Sequence, residues 1–206
     1  LALELARARG ATCSGIDAST RLVAVAQDRN PGSDIRVGDM AALPWDDESV
    51  DVVTSFRGIW GTTPAAVDEA RRVLVPGGRL ALTVWGNVGK SSGAWMLTPV
   101  LWAAEEKVQH QADMNTLGRP GVGEAFLAER GFAVDERFAV PFAWEYPDPA
   151  TYARAVAATG PAYEAIQDVG EDAFVERATA LAETHVRDGL PLRGEIELLG
   201  YIGTKT

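Results

Sequence analysis

Two aspartates carry the sharpest chemical signal in this chain. Asp17 closes the apolar stretch ATCSGID and Asp39 closes IRVGD, so each carboxylate stands where a short buried strand ends. In doubly wound α/β sheets, ligands lie outside the carboxyl ends of the strands, at the point where strand order reverses. A carboxylate placed there can accept hydrogen bonds from both hydroxyls of a ribose. Its usual position is about 20 residues beyond a glycine-rich loop, and counting back from Asp17 puts that loop just before Leu1. The competing reading of Asp17 is a solvated turn or a helix-capping aspartate. Other chemistry is thinly represented. There is no CxxC or HExxH pattern, and the two histidines, His110 and His185, are far apart. His110, in the region after the fifth strand of the pattern, is the candidate base if an acceptor must lose a proton; the plainer reading is an exposed loop histidine. The run Asp46, Asp47 and Glu48 reads as a solvated loop, not a metal site, because hard cations need oxygen ligands converging from a defined loop geometry.

The elements that must position these residues follow a parallel-sheet rhythm. LALELARARG reads as a helix with Leu1, Leu5 and Ala8 on one face and Gly10 at its stop. After the first strand, Ser19 is a helix N-cap, and Leu22, Val25 and Ala26 form that helix's apolar stripe. IRVGD is the next strand and VDVVTSF, Val50 to Phe56, the one after it. Thr63 and Pro64 start a helix whose buried stripe is Val67, Ala70, Val73 and Leu74; Pro76, Gly77 and Gly78 end it before the strand RLALTVW. Helix, strand, helix, strand is the signature of crossover units. Beyond Gly86 the spacing lengthens. A helical region holds Trp95, Met96, Leu101 and Trp102, with Pro99 expected to begin or kink a helix, and a shorter helix spans Val122 to Arg130. FAVDERFAVPFAWEY alternates as a strand, and Pro141 suggests an edge or a bulge. Residues 148–188 are helical in pattern, capped by Asp148 with Pro149 next, and EIELLGYIGTK is the final strand.

The segments GIDAS, VGDMAALPWDDESVDVVTSF and EARRVLVPGGRLALTVWG together resemble class I S-adenosylmethionine-dependent methyltransferases, in the style of the ubiquinone and menaquinone C-methyltransferases and related small-molecule enzymes. The resemblance is strong over residues 1–86 and looser beyond, through the turn at Arg130, Gly131 and Phe132. It implies an α/β, Rossmann-like sheet, mostly parallel with an antiparallel last strand, and S-adenosylmethionine as cofactor. It further implies that Asp17, with Ala18 beside it, holds the ribose, that Asp39 accepts from the adenine amino group, and that Met40 lies against the adenine. Ser55 and Phe56 match positions lining the methionine end and the acceptor site. The family's first strand and GxGxG loop are not in this sequence, so the domain reads as N-terminally incomplete. The sheet should then hold a slot roughly 9 to 10 Å wide between the strands ending at Asp17 and Phe56, and cofactor should be absent from the chain as it stands.

Six tryptophans are present, and Trp60 and Trp85 are placed to wall an apolar acceptor pocket. Trp95 and Trp102 fit equally well as glue for an insertion. Residues 87–120 and 148–190 interrupt the sheet rhythm and read as helical insertions forming a substrate cap on a single domain, residues 1–206. With 47% hydrophobic residues the 206-residue chain can bury one core. Its net charge of -10 repels polyanions, so nucleic acid is an unfavoured substrate. One cysteine, Cys13, permits no internal disulfide, and no apolar run approaches the ~20 residues of a membrane span. The expectation is a cytoplasmic protein with a small-molecule acceptor, compatible with a homodimer. Two other functions stay open: a nicotinamide-dependent oxidoreductase, since Asp17 also suits the ribose of NAD, and a noncatalytic binding module of the same fold. Asp39 and the antiparallel last strand speak against the first.

Overall fold

The structure is a computed structural model and describes residues 2–59, 63–102, 116–159, 162–187 and 190–206. Helix α1 (Ala2–Arg7) leads through Gly10, at φ 83°, into β1 (Ser14–Asp17). Helix α2 (Thr20–Arg29) starts as expected, with the Ser19 side chain accepting from the Leu22 N–H. Strand β2 (Asp34–Val37) then pairs in parallel with β1. The apolar stripe of α2 differs from expectation. Val23 is buried, whereas Leu22 and Val25 are exposed. The helix is turned so that Val23 and Gln27, four residues apart, share a face, and the Gln27 amide donates to the Ile35 carbonyl at 2.8 Å. Leu5 of α1 is also exposed, and Leu1 lies outside the described residues.

A second, four-stranded sheet has the order β3 (Val50–Phe56), β4 (Leu74–Trp85), β6 (Leu192–Lys205), β5 (Phe132–Tyr146). Helix α3 (Pro64–Val73) joins β3 to β4, which are parallel, and buries Ala66, Val67, Ala70 and Val73. At its end Gly77 takes φ 73°, and a Cβ on Gly78 would stand 2.9 Å from the Val75 carbonyl oxygen, so glycine is required at the turn. The last strand runs antiparallel to both neighbours, with Leu80 opposite Gly203 and Phe132 opposite Lys205. This agrees with the expected orientation. Pro141 sits in the edge strand β5, where a missing N–H is tolerated; the bulge lies at Val134/Glu136 instead.

Two apolar clusters divide the packing. One joins α3, β4 and β6 with helix α4 (Val122–Ala128) through Val67, Leu82, Leu127 and Tyr201. The Tyr201 hydroxyl donates to the Leu117 carbonyl at 2.8 Å. The other lies where β5 and β6 run on past Trp85, the last residue of β4. There helices α5 (Pro149–Ala157), α6 (Tyr163–Val169) and α7 (Glu171–Glu183) pack with a 3-10 helix, Ala94–Leu101, around Met96, Tyr152, Phe174 and Ala178. The Asp148 carboxylate caps α5, accepting from the Thr151 N–H at 2.7 Å. Pro99 falls inside the 3-10 run and does not begin an α-helix. The segment after Trp85 is tied along β6, since the Gly86 and Gly93 N–H groups donate to the Glu197 and Glu195 carbonyls. Among the described residues no helix is long and apolar enough to cross a membrane.

Candidate functional site

No hydrogen-bonded pairing joins the β1–β2 sheet to the four-stranded sheet among the described residues. Between β1 and β3 lies a cavity of about 610 Å³, whose walls include Asp17, Ala18, Asp39, Met40, Ser55 and Arg57. That volume falls within the range of small-molecule and cofactor pockets. Five of the six residues expected at a cofactor are thus brought together from three places in the sequence. Phe56 is the exception. Ser55 lies opposite Leu82, on the face packed by α3, so the next residue points to the other face of the sheet, and Phe56 is 60% exposed there. Trp60 and His110 lie outside the described residues.

Each strand-end acid is held by its own turn. The Asp17 Oδ1 accepts from the Ser19 N–H at 2.8 Å, and the Asp39 Oδ1 accepts from the Ala41 N–H at 2.8 Å. No described residue donates to the second oxygen of either carboxylate. The turn-capping reading of Asp17 is therefore correct, yet it uses only one of the two acceptor atoms. The backbone between them is tightly set: the Gly38 N–H donates to the Asp17 carbonyl, and a Cβ on Gly38 would stand 2.6 Å from the Ile16 Cδ1. On the opposite wall the Ser55 hydroxyl accepts from the Ile59 N–H at 3.0 Å, which fixes the turn after β3.

The loop carrying Asp39, Met40 and Leu43 is fastened to α3 by a pair that sequence reasoning missed. Glu69 accepts from the Leu43 N–H at 2.7 Å and from the Arg72 guanidinium at 2.7 and 2.8 Å. Arg72 also donates to the Leu43 and Trp45 carbonyls and to the Asp47 carboxylate. The bonds from Arg72, and then the Leu43 N–H, hold the Glu69 carboxyl below its ordinary range against a modest desolvation. The only signal was the i,i+3 spacing of Glu69 and Arg72 on a helix. Asp47 is thus an ion-pair partner, and Glu48 stands 3.5 Å from Lys205. Among the described residues no acidic, histidine or cysteine cluster could hold a metal.

Trp85 belongs to an aromatic group beyond the end of β4, meeting Trp144 edge-on at 6.3 Å. A second cavity, about 620 Å³, opens on the helical side between Trp95, His185, Glu145 and Arg193. There the His185 ring stacks on Trp95 at 4.0 Å. None of the residues expected to bind cofactor lines it.

Residues 1–82 match the family profile described as a methyltransferase domain. An uncharacterized methyltransferase of Schizosaccharomyces pombe is 37% identical over 82 residues, 39% of this chain and 32% of that protein. A malonyl-[acyl-carrier protein] O-methyltransferase of Methylococcus capsulatus is 38% identical over 82 residues, 37% of this chain and 30% of that protein. The chain spans about a third of the length of these curated relatives. Among solved structures, a SAM-dependent methyltransferase of Methanosarcina mazei superposes with TM-score 0.56 at 16% identity, covering 100% of this chain and 86% of that one. The [4+2]-cyclase SpnF does so with TM-score 0.59 at 20% identity, covering 99% and 69%. The chain has the Rossmann-like fold of methyltransferases, α/β with a mostly parallel sheet and an antiparallel last strand. A cyclase shares that fold, so activity has to be argued from the site.

Proposed function

We propose that the protein transfers a methyl group from S-adenosylmethionine to a small-molecule acceptor, and that the cavity between β1 and β3 is where the cofactor lies. The observation that carries this is the convergence of Asp17, Asp39, Met40 and Ser55 on one cavity at the carboxyl ends of three strands. The donor set suits a nucleoside. Asp17 offers a carboxylate oxygen to the ribose hydroxyls, Asp39 offers one to an adenine amino group, and Met40 supplies polarizable apolar surface for the ring. When bound, S-adenosylmethionine supplies a methyl group on a sulfonium, and the acceptor's bond to that carbon forms as the carbon–sulfur bond breaks, its electron pair remaining on sulfur. The work left to the chain is to bind, orient and exclude water.

Ser55 and the turn it fixes stand at the far wall from the two acids and set where the reacting end lies. The helical unit formed by α5 to α7 and the 3-10 helix sits beyond the end of β4, and we assign it the role of a cap over the acceptor. A small acceptor is favoured over nucleic acid by the net charge of -10. The test is incubation of the full-length protein with methyl-labelled S-adenosylmethionine and a metabolite extract, alongside protein and nucleic-acid fractions. The expected label appears in extracted small molecules. Label only in protein or nucleic acid, or in nothing while the cofactor binds, would overturn the assignment.

A further inference from the structure

The cavity of about 620 Å³ on the helical side shares no wall residue with the one between β1 and β3, and the methyl-transfer reading gives it no task. Its polar walls come from three places in the chain: Glu145 from β5, Arg193 and Glu195 from β6, and His185 with Arg187 from the segment after α7. The imidazole of His185 is held in one orientation. Its ring lies on the Trp95 indole, 4.0 Å between centroids and 8° from parallel. Nδ1 stands 3.2 Å from the Leu181 carbonyl and 2.9 Å from the Thr184 hydroxyl, and that hydroxyl donates its own proton to the same carbonyl at 2.6 Å. A carbonyl only accepts, so Nδ1 carries the hydrogen in the neutral ring and the lone pair is on Nε2. No described residue donates to Nε2.

The charged groups around this ring are unevenly matched. Arg193 reaches Glu145 at 3.5 Å and Glu195 at 3.1 Å, and each contact uses one carboxylate oxygen. The other two oxygens, Glu145 Oε1 and Glu195 Oε2, have no described donor. These three side chains therefore carry one negative charge in excess. Arg187 supplies a separate cation. Its backbone is bridged to Leu190, and its guanidinium has no hydrogen bond or ion pair to any described residue.

The groups left over match a zwitterion. An ammonium has three N–H donors and no acceptor, and the cavity offers three acceptors: Glu145 Oε1, Glu195 Oε2 and His185 Nε2. A carboxylate takes a guanidinium fork in two parallel bonds, and Arg187 carries that fork. Trp95, Leu190 and Pro191 add apolar wall, and the volume is that of a small-ligand site. We propose that this cavity binds a free α-amino acid with an apolar side chain. Its ammonium meets Glu145, Glu195 and His185, its carboxylate meets Arg187, and its side chain lies along Leu190, Pro191 and Trp95. Two glutamates and two arginines sum to zero, which suits a ligand of no net charge, and the protein's net charge of -10 does not repel such a ligand as it does an anion. The site stands apart from the cofactor cavity and does not depend on the methyl-transfer reading.

The test is calorimetric titration of the full-length protein with L-leucine, L-methionine, L-phenylalanine and L-tryptophan, each beside its amide and its N-acetyl derivative. At least one free amino acid is expected to bind saturably and one-to-one. Blocking either end is expected to weaken it roughly tenfold or more, as for loss of a charge-assisted hydrogen-bonded contact. Arg187→Gln is expected to bring the free amino acid level with its amide, and Arg187→Lys to retain part of the preference. His185→Phe keeps a ring for the stack on Trp95 and removes Nε2; it is expected to weaken the free amino acid and its amide alike, by roughly three- to tenfold, and to leave the N-acetyl derivative unchanged. A melting temperature within about 2 °C of wild type is the check on folding. Binding of none of the four by wild type, equal binding of the blocked forms, or unchanged affinity in either Arg187→Gln or His185→Phe overturns the proposal. Displacement of the amino acid by S-adenosylhomocysteine would place it in the cavity between β1 and β3 and also overturn it.

Discussion

At the scale of single residues, the two oxygens of the Asp17 carboxylate stand in different positions. One oxygen accepts from the Ser19 N–H at 2.8 Å and shapes the entry to α2; the other has no described donor. Asp17→Asn keeps an acceptor for that turn and removes the charge that we propose a ribose meets. We predict that it weakens S-adenosylhomocysteine binding by roughly 1.5 to 3 kcal/mol in the full-length protein, as expected for lost charge-assisted hydrogen bonds. Thermal unfolding should shift little, and calorimetric titration reads the first quantity while a melt reads the second. An unchanged dissociation constant would remove the ribose role. Asp17 and Asp39 were legible because a strand-end acid announces itself by local pattern alone. The place of Arg57 was not, because its guanidinium lies against rings from other strands, 5.2 Å from Trp85 and 6.0 Å from Phe142. Phe56 was placed at the site because it closes β3, but alternation along the strand turns it to the opposite face from Ser55.

Among the elements, the loop after β2 depends on α3 for its shape. Glu69 and Arg72 hold it through contacts at Leu43, Trp45 and Asp47. Glu69→Gln keeps the size of the side chain and removes the charge that draws in Arg72. If the loop then spends only a fraction of its time ordered, apparent cofactor affinity falls by that fraction, and we predict a loss of roughly three- to tenfold. The pH dependence has a definite sign. Glu69 is depressed in the folded chain, first by Arg72, so its contribution is fully present above the unfolded carboxylate pKa and is lost as pH falls through the folded value. Acidification should therefore lower the wild-type melting temperature more steeply than that of Glu69→Gln; parallel curves would contradict this role. On the helical side, the buried Tyr152 hydroxyl donates to the Met96 carbonyl at 2.9 Å and ties α5 to the 3-10 helix. Tyr152→Phe leaves that carbonyl unpaired and should cost about 1 to 3 kcal/mol in denaturant unfolding. A change below half of that would mean water replaces the bond. Helix starts at Ser19 and Asp148 were legible from capping residues. The phase of α2 was not, because Leu22, Val23, Val25 and Ala26 are all apolar, and the Gln27 bond to Ile35 decides which of them faces in.

For the molecule as a whole, the alternation of helices and strands is readable along the chain, and β6 returns antiparallel to β4 and β5 after helices α5 to α7, which pack in a cluster of their own with the 3-10 helix. The division into two apolar clusters was less legible. Tryptophans at Trp95 and Trp102 fit either a pocket wall or ordinary packing, and both lie against the cluster around Tyr152 and Phe174. Two cavities of similar size result, and chemistry rather than volume separates them: one gathers the strand-end acids, the other a stacked Trp95–His185 pair. We assign the first of these to the nucleoside of S-adenosylmethionine. The most direct measurement is calorimetric titration of the full-length protein with S-adenosylhomocysteine and, separately, with NADH. Saturable one-to-one binding of S-adenosylhomocysteine, weakened in Asp17→Asn, is expected, with no heat of binding for NADH. Saturable binding of NADH that Asp17→Asn weakens, with none for S-adenosylhomocysteine, would contradict it.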